Sequence, residues 1–284
     1  MSISRRTLIS LVAVGALALA PALAITGGEP DGGRHPNVAA IAVQLTQTIF
    51  GPYAPLCTGT LIAPDVVLTA AHCVQSLEFH AGIGDLVKVF VTFDEVYAID
   101  PFHPDISNWV PVKSWHADPD YHLVGANPHN DLGVLILNLA SKPPQVVLPE
   151  PARLPTVGLL DVLDAHGGLA GETFTAVGYG LGLRTSSPGQ SPPRFSLQLR
   201  RNLAESRYEA LHEDQISFLQ NIQAGYSGIC FGDSGGPYFY AVDGEDILVG
   251  VIDLVDPNCI ALGGGQRLDT EEARAFLGAF MILP

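Results

Sequence analysis

The sequence predicts an all-β fold in two halves, and three observations carry that expectation. Short apolar or β-branched runs recur with turn residues between them. Charged residues make up only 15% of the chain, which holds 30 glycines and 22 prolines, a balance suited to many strands and tight turns. A proline-rich stretch, 142–155, separates the runs into two groups and reads as a linker. In chain order the strand-like runs are 38–45, 58–62, 66–69, 86–93, 132–137, 174–177, 195–200, 237–240 and 247–252. Each is short, and each is apolar, alternating or β-branched, as barrel strands are. The halves on either side of the linker then form a small barrel each. Near the end, Thr270 precedes Glu271 and Glu272, and apolar residues follow at Ala273, Phe276, Leu277 and Phe280. A capping threonine with acids in the first turn predicts a terminal helix. No repeat of 20 to 50 residues and no low-complexity tract interrupts this plan.

The first 24 residues read as an export signal. Arg5 and Arg6 precede an apolar stretch from Leu8 to Ala20, and Ala22-Leu23-Ala24 forms a small-x-small cleavage site. Ser4-Arg5-Arg6-Thr7-Leu8-Ile9 also fits a twin-arginine motif, which points to a bacterial origin. A secreted or periplasmic protein cleaved near Ala24 is expected. The apolar stretch is short for a membrane span, so no membrane association is expected after its removal. The full sequence carries a net charge of −15, and losing Arg5 and Arg6 makes the mature chain two charges more acidic. Such a chain offers no basic face to nucleic acid or anionic lipid. The mature length suits one large or two medium domains.

Three segments concentrate the chemistry. Leu68-Thr69-Ala70-Ala71-His72-Cys73 supplies a histidine, Asn130-Asp131-Leu132-Gly133 an aspartate, and Gly232-Asp233-Ser234-Gly235-Gly236-Pro237 a serine. A serine hydroxyl becomes a useful nucleophile when a histidine takes its proton and a carboxylate holds that histidine's tautomer. Gly232-x-Ser234-x-Gly236 also fits a hydrolase nucleophile elbow, but there the histidine follows the serine. Here the last histidine is His212, so that arrangement is excluded. An order that begins with aspartate needs Asp31 or Asp65, and neither lies in a recognisable motif. Asp118 and Asp120 are alternatives to Asp131, but they lie in a polar, proline-containing loop, whereas Asp131 leads into an apolar strand. The other eight histidines read as surface or packing residues.

The histidine and serine motifs, in this order, resemble those of the trypsin/chymotrypsin-type serine peptidases, and the likeness runs from Ile25 to the C-terminus. It implies two packed six-stranded antiparallel Greek-key β-barrels with a C-terminal helix. The divisions are a signal peptide at 1–24, an N-terminal barrel at 25–145 and a C-terminal barrel with the helix at 146–284. It implies an endopeptidase with Ser234 as nucleophile, His72 as general base and Asp131 as its orienting group. The N–H groups of Gly232 and Ser234 form the oxyanion hole. Four cysteines allow three disulfide pairings, and the resemblance selects Cys57–Cys73 and Cys230–Cys259. Their spacing contains no Cys-x-x-Cys unit, so no metal is expected, nor any cofactor.

The resemblance further implies that Asp233 pairs with the amino group of a mature chain beginning Ile25-Thr26-Gly27-Gly28. That start lies immediately after the signal cleavage site, so signal removal would itself create the activating ammonium. Gly228, Ile229 and Val255 fall at the substrate pocket. Gly228 supplies no charge for a basic substrate side chain, and Val255 narrows the entrance as in elastase-like members. Protein or peptide substrates with small or medium apolar residues before the scissile bond are expected, with the enzyme a monomer. Asp253 and Leu254 depart from the family's serine and tryptophan at those places. A second carboxylate near Asp131 must either repel it or carry a proton. The alternatives are a binding or adhesion protein on a peptidase scaffold, or a secreted esterase using the same triad.

Overall fold

The computed structural model describes residues 25–46, 52–96, 105–184, 194–197 and 199–284. The expected signal segment, 1–24, lies outside the described residues. Six strands build the first barrel: β1 (Val38–Leu45), β2 (Tyr53–Ala63), β3 (Val66–Thr69), β4 (Leu86–Thr92), β5 (Val110–Ala117) and β6 (Gly133–Leu137). They close antiparallel in the order β1-β2-β3-β6-β5-β4. Helix α1 (Ala71–Gly82) follows β3 directly.

The second barrel contains β7 (Thr173–Gly178), β8 (Asn202–Leu211), β9 (Gln215–Leu219), β10 (Pro237–Val242), β11 (Glu245–Val255) and β12 (Leu262–Arg267). Its order is β7-β8-β9-β12-β11-β10, with β10 returning to β7, again antiparallel throughout. Helix α2 (Leu159–Asp164) precedes it, and α3 (Glu271–Leu277) ends the chain's regular structure. Thr270 Oγ1 accepts the Ala273 N–H at 3.2 Å, so α3 carries the cap its sequence predicts. Among the described residues, no helix is long and apolar enough to cross a membrane.

The alternation that marked the strands also fills the barrels. Ile41, Leu61, Val67, Val91, Val134 and Leu135 are buried in the first, and Phe174, Ile216, Phe218, Tyr238 and Val249 in the second. Burying a side chain of this size stabilises the fold by about 1.5–3 kcal/mol. Four barrel strands lie beyond the sequence expectation. β5 contains Pro111, β8 is interleaved with charge, β9 is only five residues long and β12 begins Leu-Gly-Gly-Gly. The run expected at 195–200 instead contributes Arg194–Leu197 to a hairpin with Leu181–Arg184, outside both barrels.

A buried polar cluster clamps the N-terminal segment and the two barrels together. Arg201, 2% exposed, stands just before β8. Its Nε donates to Asp31 Oδ2 at 2.9 Å, and one terminal nitrogen donates to the carbonyls of Val38 and Phe93 and to Tyr179 Oη. Asp31 also takes the ring N–H of His35 at 2.5 Å and its backbone N–H at 3.1 Å. Burial alone pushes the Asp31 pKa upward, yet the hydrogen bonds from His35 and Arg201 outweigh it. They hold the carboxyl well below the usual range.

Removing one partner of such a pair strands the other charge. Asp31→Ala is expected to lower unfolding stability by about 3–5 kcal/mol in urea titrations at pH 7. Because the folded-state pKa is depressed, this stabilisation is complete above the usual carboxylate pKa of about 4 and fades as the pH falls below it. The gap between wild type and variant therefore narrows in acid.

Candidate active site

His72 lies in the first turn of α1, and that helix start has no side-chain cap of its own at Ala70. Asp131 supplies the missing acceptor from across the barrel. Its Oδ1 takes the backbone N–H of His72 at 2.8 Å, and its Oδ2 takes the ring Nδ1–H at 2.6 Å. A carboxylate is favoured at a helix N-terminus, where N–H groups point outward unpaired. Because the ionised carboxylate only accepts, the imidazole carries its proton on Nδ1 and leaves Nε2 free as a base. Asp131 is fully buried, while about a third of the His72 side chain remains exposed.

The backbone makes this contact possible. β3 pairs with β6, Thr69 opposite Gly133. A Cβ on Gly133 would lie 2.9 Å from the Ala70 carbonyl, so only glycine lets β6 approach the start of α1 so closely. The Asp131 N–H donates to Gln266 Oε1 at 3.2 Å, which ties the carboxylate's own backbone to the second barrel. Asp118 does not compete for His72. Its Oδ1 caps a turn by accepting the Asp120 N–H at 2.9 Å.

Ser234 belongs to the second barrel but is held by the first. Thr58 of β2 donates its N–H to the Ser234 carbonyl at 2.9 Å and its hydroxyl to the Gly232 carbonyl at 3.0 Å. The same hydroxyl accepts the Tyr179 N–H at 3.2 Å. Beside Thr58, Cys57 is joined to Cys73, the residue after His72, and Cys73 Sγ lies 3.8 Å from the Ser234 carbonyl. The second disulfide joins Cys230, four residues before Ser234, to Cys259. Cys57, His72 and Cys73 bring ligand-type atoms within 4.8 Å of one another, but both sulfurs belong to the disulfide and offer no thiolate.

Around the serine, Asp233 N–H donates to the Cys230 carbonyl, Gly235 N–H to Ile252 and Gly236 N–H to Asp233. The N–H groups of Gly232 and Ser234 have no hydrogen-bond partner among the described residues. Gly232 has φ 95°, a conformation that glycine adopts without strain. Asp233 turns inward and is fully buried, with Oδ1 on Gly180 N–H at 2.8 Å and Oδ2 on Cys230 N–H at 2.9 Å. Burial pushes its pKa up to about 7, against the two backbone bonds that lower it. Ile25 is also fully buried, and Thr26 bridges antiparallel to Gly228, whose N–H reaches the Thr26 carbonyl at 2.9 Å. The Ile25 segment therefore packs against the chain five residues before Asp233.

Residues 25–263 match the family model for trypsin. The chain belongs to the trypsin family. It is 27% identical over 256 residues to CLIP domain-containing serine protease B4 of Anopheles gambiae, covering 84% of this chain and 65% of the relative. It is 29% identical over 246 residues to serine protease Hayan of Drosophila melanogaster, covering 80% of this chain and 34% of the relative. Against vitamin K-dependent protein C of Rattus norvegicus it is 28% identical over 204 residues, with 69% and 40% covered. The chain thus spans between a third and two thirds of the length of these trypsin-family relatives.

Two of the positions named from sequence for a substrate pocket meet at Gly263. Val255 on β11 pairs with Gly263 on β12, and the fully buried Ile229 lies against the same glycine. Ile229 N–H donates to Gln220 Oε1 at 3.0 Å, a residue to which no sequence motif points. Leu254 is 39% exposed.

Asp253 departs most from the trypsin pattern. Its residue is part-exposed, but its carboxyl turns inward. Oδ2 accepts from Gln215 Nε2 at 2.8 Å, and Oδ1 is buried without a partner among the described residues. Gln215 Nε2 also reaches Gln266 Oε1 at 3.2 Å, the atom that receives the Asp131 N–H. Burial first, and the charge of Asp131 second, push the Asp253 pKa well above the usual carboxylate value. A carboxyl that keeps its proton avoids placing a second anion beside Asp131. A raised folded-state pKa means that the native state holds a proton the unfolded chain has released, so this site loses stability as the pH rises from about 4. Asp253→Asn is neutral at every pH. In urea unfolding it is expected to match wild type near pH 4 and to become progressively the more stable as the pH rises. A difference that stays flat with pH rules the protonated carboxyl out.

Proposed function

We propose that this chain is an exported serine endopeptidase that cleaves through an acyl-enzyme on Ser234. The observation that carries the reading is the two-point hold of Asp131 on His72, at 2.6 and 2.8 Å, with Ser234 fixed across the barrel seam by Thr58. Ser234 Oγ attacks the substrate carbonyl carbon as His72 Nε2 takes the hydroxyl proton. The carbonyl oxygen becomes an oxyanion and is received by the N–H groups of Gly232 and Ser234, each such donor being worth about 10²–10³ in turnover. Collapse breaks the C–N bond, and the departing amine takes the proton from His72. Water then enters by the same route in reverse roles and releases the acid product. Asp131 holds the imidazole in the required tautomer and stabilises its charged form. The names of two of the relatives, both serine proteases, agree with a protein substrate.

A fluorophosphonate probe is expected to label Ser234 in the processed chain and to leave Ser234→Ala unlabelled. Asp131→Asn keeps the fold but favours the wrong tautomer, and kcat is expected to fall by about 10⁴-fold. Absence of label returns the chain to the binding-scaffold reading. Label with hydrolysis of esters but not peptides selects the esterase.

Activation, in this reading, follows from export. Cleavage after Ala24 frees the Ile25 ammonium to meet the buried Asp233, which otherwise holds a proton up to about pH 7. The charged pair fixes the 230–236 loop and its two free N–H donors. N-terminal sequencing of active secreted enzyme is expected to begin at Ile25. Enzyme that starts elsewhere and still turns over substrate removes this mechanism. Acetylating the Ile25 amine, which abolishes its charge, is expected to lower activity by at least about tenfold, the equivalent of one charge-assisted contact.

A further inference from the structure

Two buried side chains, Gln220 and Tyr238, pack against Gly228 and Gly263, the glycines next to the expected pocket residues Ile229 and Val255. Gly263, opposite Val255, has room for almost nothing. A Cβ there would sit 2.9 Å from Gln220 Oε1, 3.0 Å from Ile229 Cγ1 and 3.1 Å from Tyr238 Oη. On the neighbouring wall, a side chain on Gly228 would run into both Oε1 and Cβ of Gln220. The space in front of the Gly228 and Gly263 Cα atoms is therefore taken by Gln220 and Tyr238.

Both fillers are fixed. Gln220 is 1% exposed, accepts the Ile229 N–H at 3.0 Å and donates to Asp256 Oδ1 at 3.4 Å. Asp256 Oδ1 is itself anchored by the N–H groups of Ile260, Ala261 and Leu262. Tyr238 is fully buried, stacks on Phe218 with ring centroids 4.1 Å apart, and lies so close over Gly265 that a Cβ there would be 2.8 Å from its ring. Its hydroxyl has no hydrogen-bond partner among the described residues. The floor thus presents a glutamine and a phenol oxygen, a poor base for a long apolar side chain.

The geometry points to a substrate pocket closed by Gln220 and Tyr238, so that the enzyme accepts only the shortest P1 side chains: glycine, alanine and serine. This rests on the peptidase reading above and narrows it. Val255 limits the width of the entrance and so holds back the branched valine, whereas Gln220 and Tyr238 limit its depth, which excludes leucine and phenylalanine because both reach beyond the γ position.

The test uses the chain beginning at Ile25, first labelled by a fluorophosphonate and then assayed on peptides that differ only at P1. Alanine, glycine and serine are expected to exceed valine in kcat/KM by about tenfold, with leucine and phenylalanine lower still, the scale of discrimination that a few methylenes provide. Gln220→Ala is expected to raise leucine relative to alanine by about tenfold. Val255→Gly alone is expected to leave phenylalanine excluded. Phenylalanine or leucine ranking first in wild type, or phenylalanine admitted by Val255→Gly alone, overturns the inference while Ser234 still labels. Absence of label overturns the peptidase reading and this inference with it. Labelling each variant shows whether its site has folded, and if Gln220→Ala does not label, the Val255→Gly result decides.

Discussion

The candidate site depends on a seam. His72 and Asp131 are carried by the first barrel and Ser234 by the second, so neither barrel holds all three residues alone. Thr58 joins them at the nearest point, with its N–H on the Ser234 carbonyl and its hydroxyl between the Gly232 carbonyl and the Tyr179 N–H. A shift of about 1 Å between reacting groups can cost on the order of 10²-fold in rate. The joint is correspondingly over-determined. The Cys57–Cys73 bridge fixes β2 to the start of α1, and buried Arg201 binds the N-terminal segment to β1 and to the end of β4. Thr69 Oγ1 donates to the Thr58 carbonyl at 2.9 Å, so Thr58 itself is held from the strand that leads to His72.

The buried carboxyls follow opposite rules. Asp31 is buried with strong donors directed at it from His35 and Arg201 and is held low. Asp233 and Asp253 are buried with neutral donors only, two backbone N–H groups and one glutamine amide, and both are pushed upward. Desolvation is common to all three. What separates them is whether a cation or an imidazole stands within hydrogen-bond reach. Of the two raised carboxyls, Asp233 adjoins Ser234 in the chain and Asp253 lies within reach of the Asp131 charge.

Much of the fold and the line of the site was legible in sequence, because short motifs encode local backbone demands. The histidine motif is a strand end running into a helix, the aspartate motif ends in the one glycine that permits close approach, and the serine motif is a turn whose glycines take positive φ at 232 and 235. Strands 38–45 and 66–69 were legible to the residue because they are apolar runs in which Gln44 and the β-branched Thr69 are the sole polar residues. β12 was not, since Gly263-Gly264-Gly265 has no side chains to alternate. It is a strand because β9 and β11 flank it on both sides. Gln220 and Tyr238 were invisible as pocket residues for a related reason. Glycines at 228, 263 and 265 have no side chain to indicate a neighbour, and only the packing of distant strands shows what lies against them.

The two barrels share one strand order, and this has a consequence for where chemistry can arise. In the first barrel His72 lies on the connection between the third and fourth strands, β3 and β4. In the second, Ser234 lies on the connection between its own third and fourth strands, β9 and β10. His72 and Ser234 thus occupy the same station of the same plan, and Thr58, bonded to the Ser234 carbonyl, links one station to the other. Asp131 comes from the connection between the fifth and sixth strands, and its counterpart in the second barrel carries Asp256 and Cys259. A repeated half with one loop tied across the seam brings corresponding stations of the two barrels into contact, while each barrel keeps its own closed ring of strands.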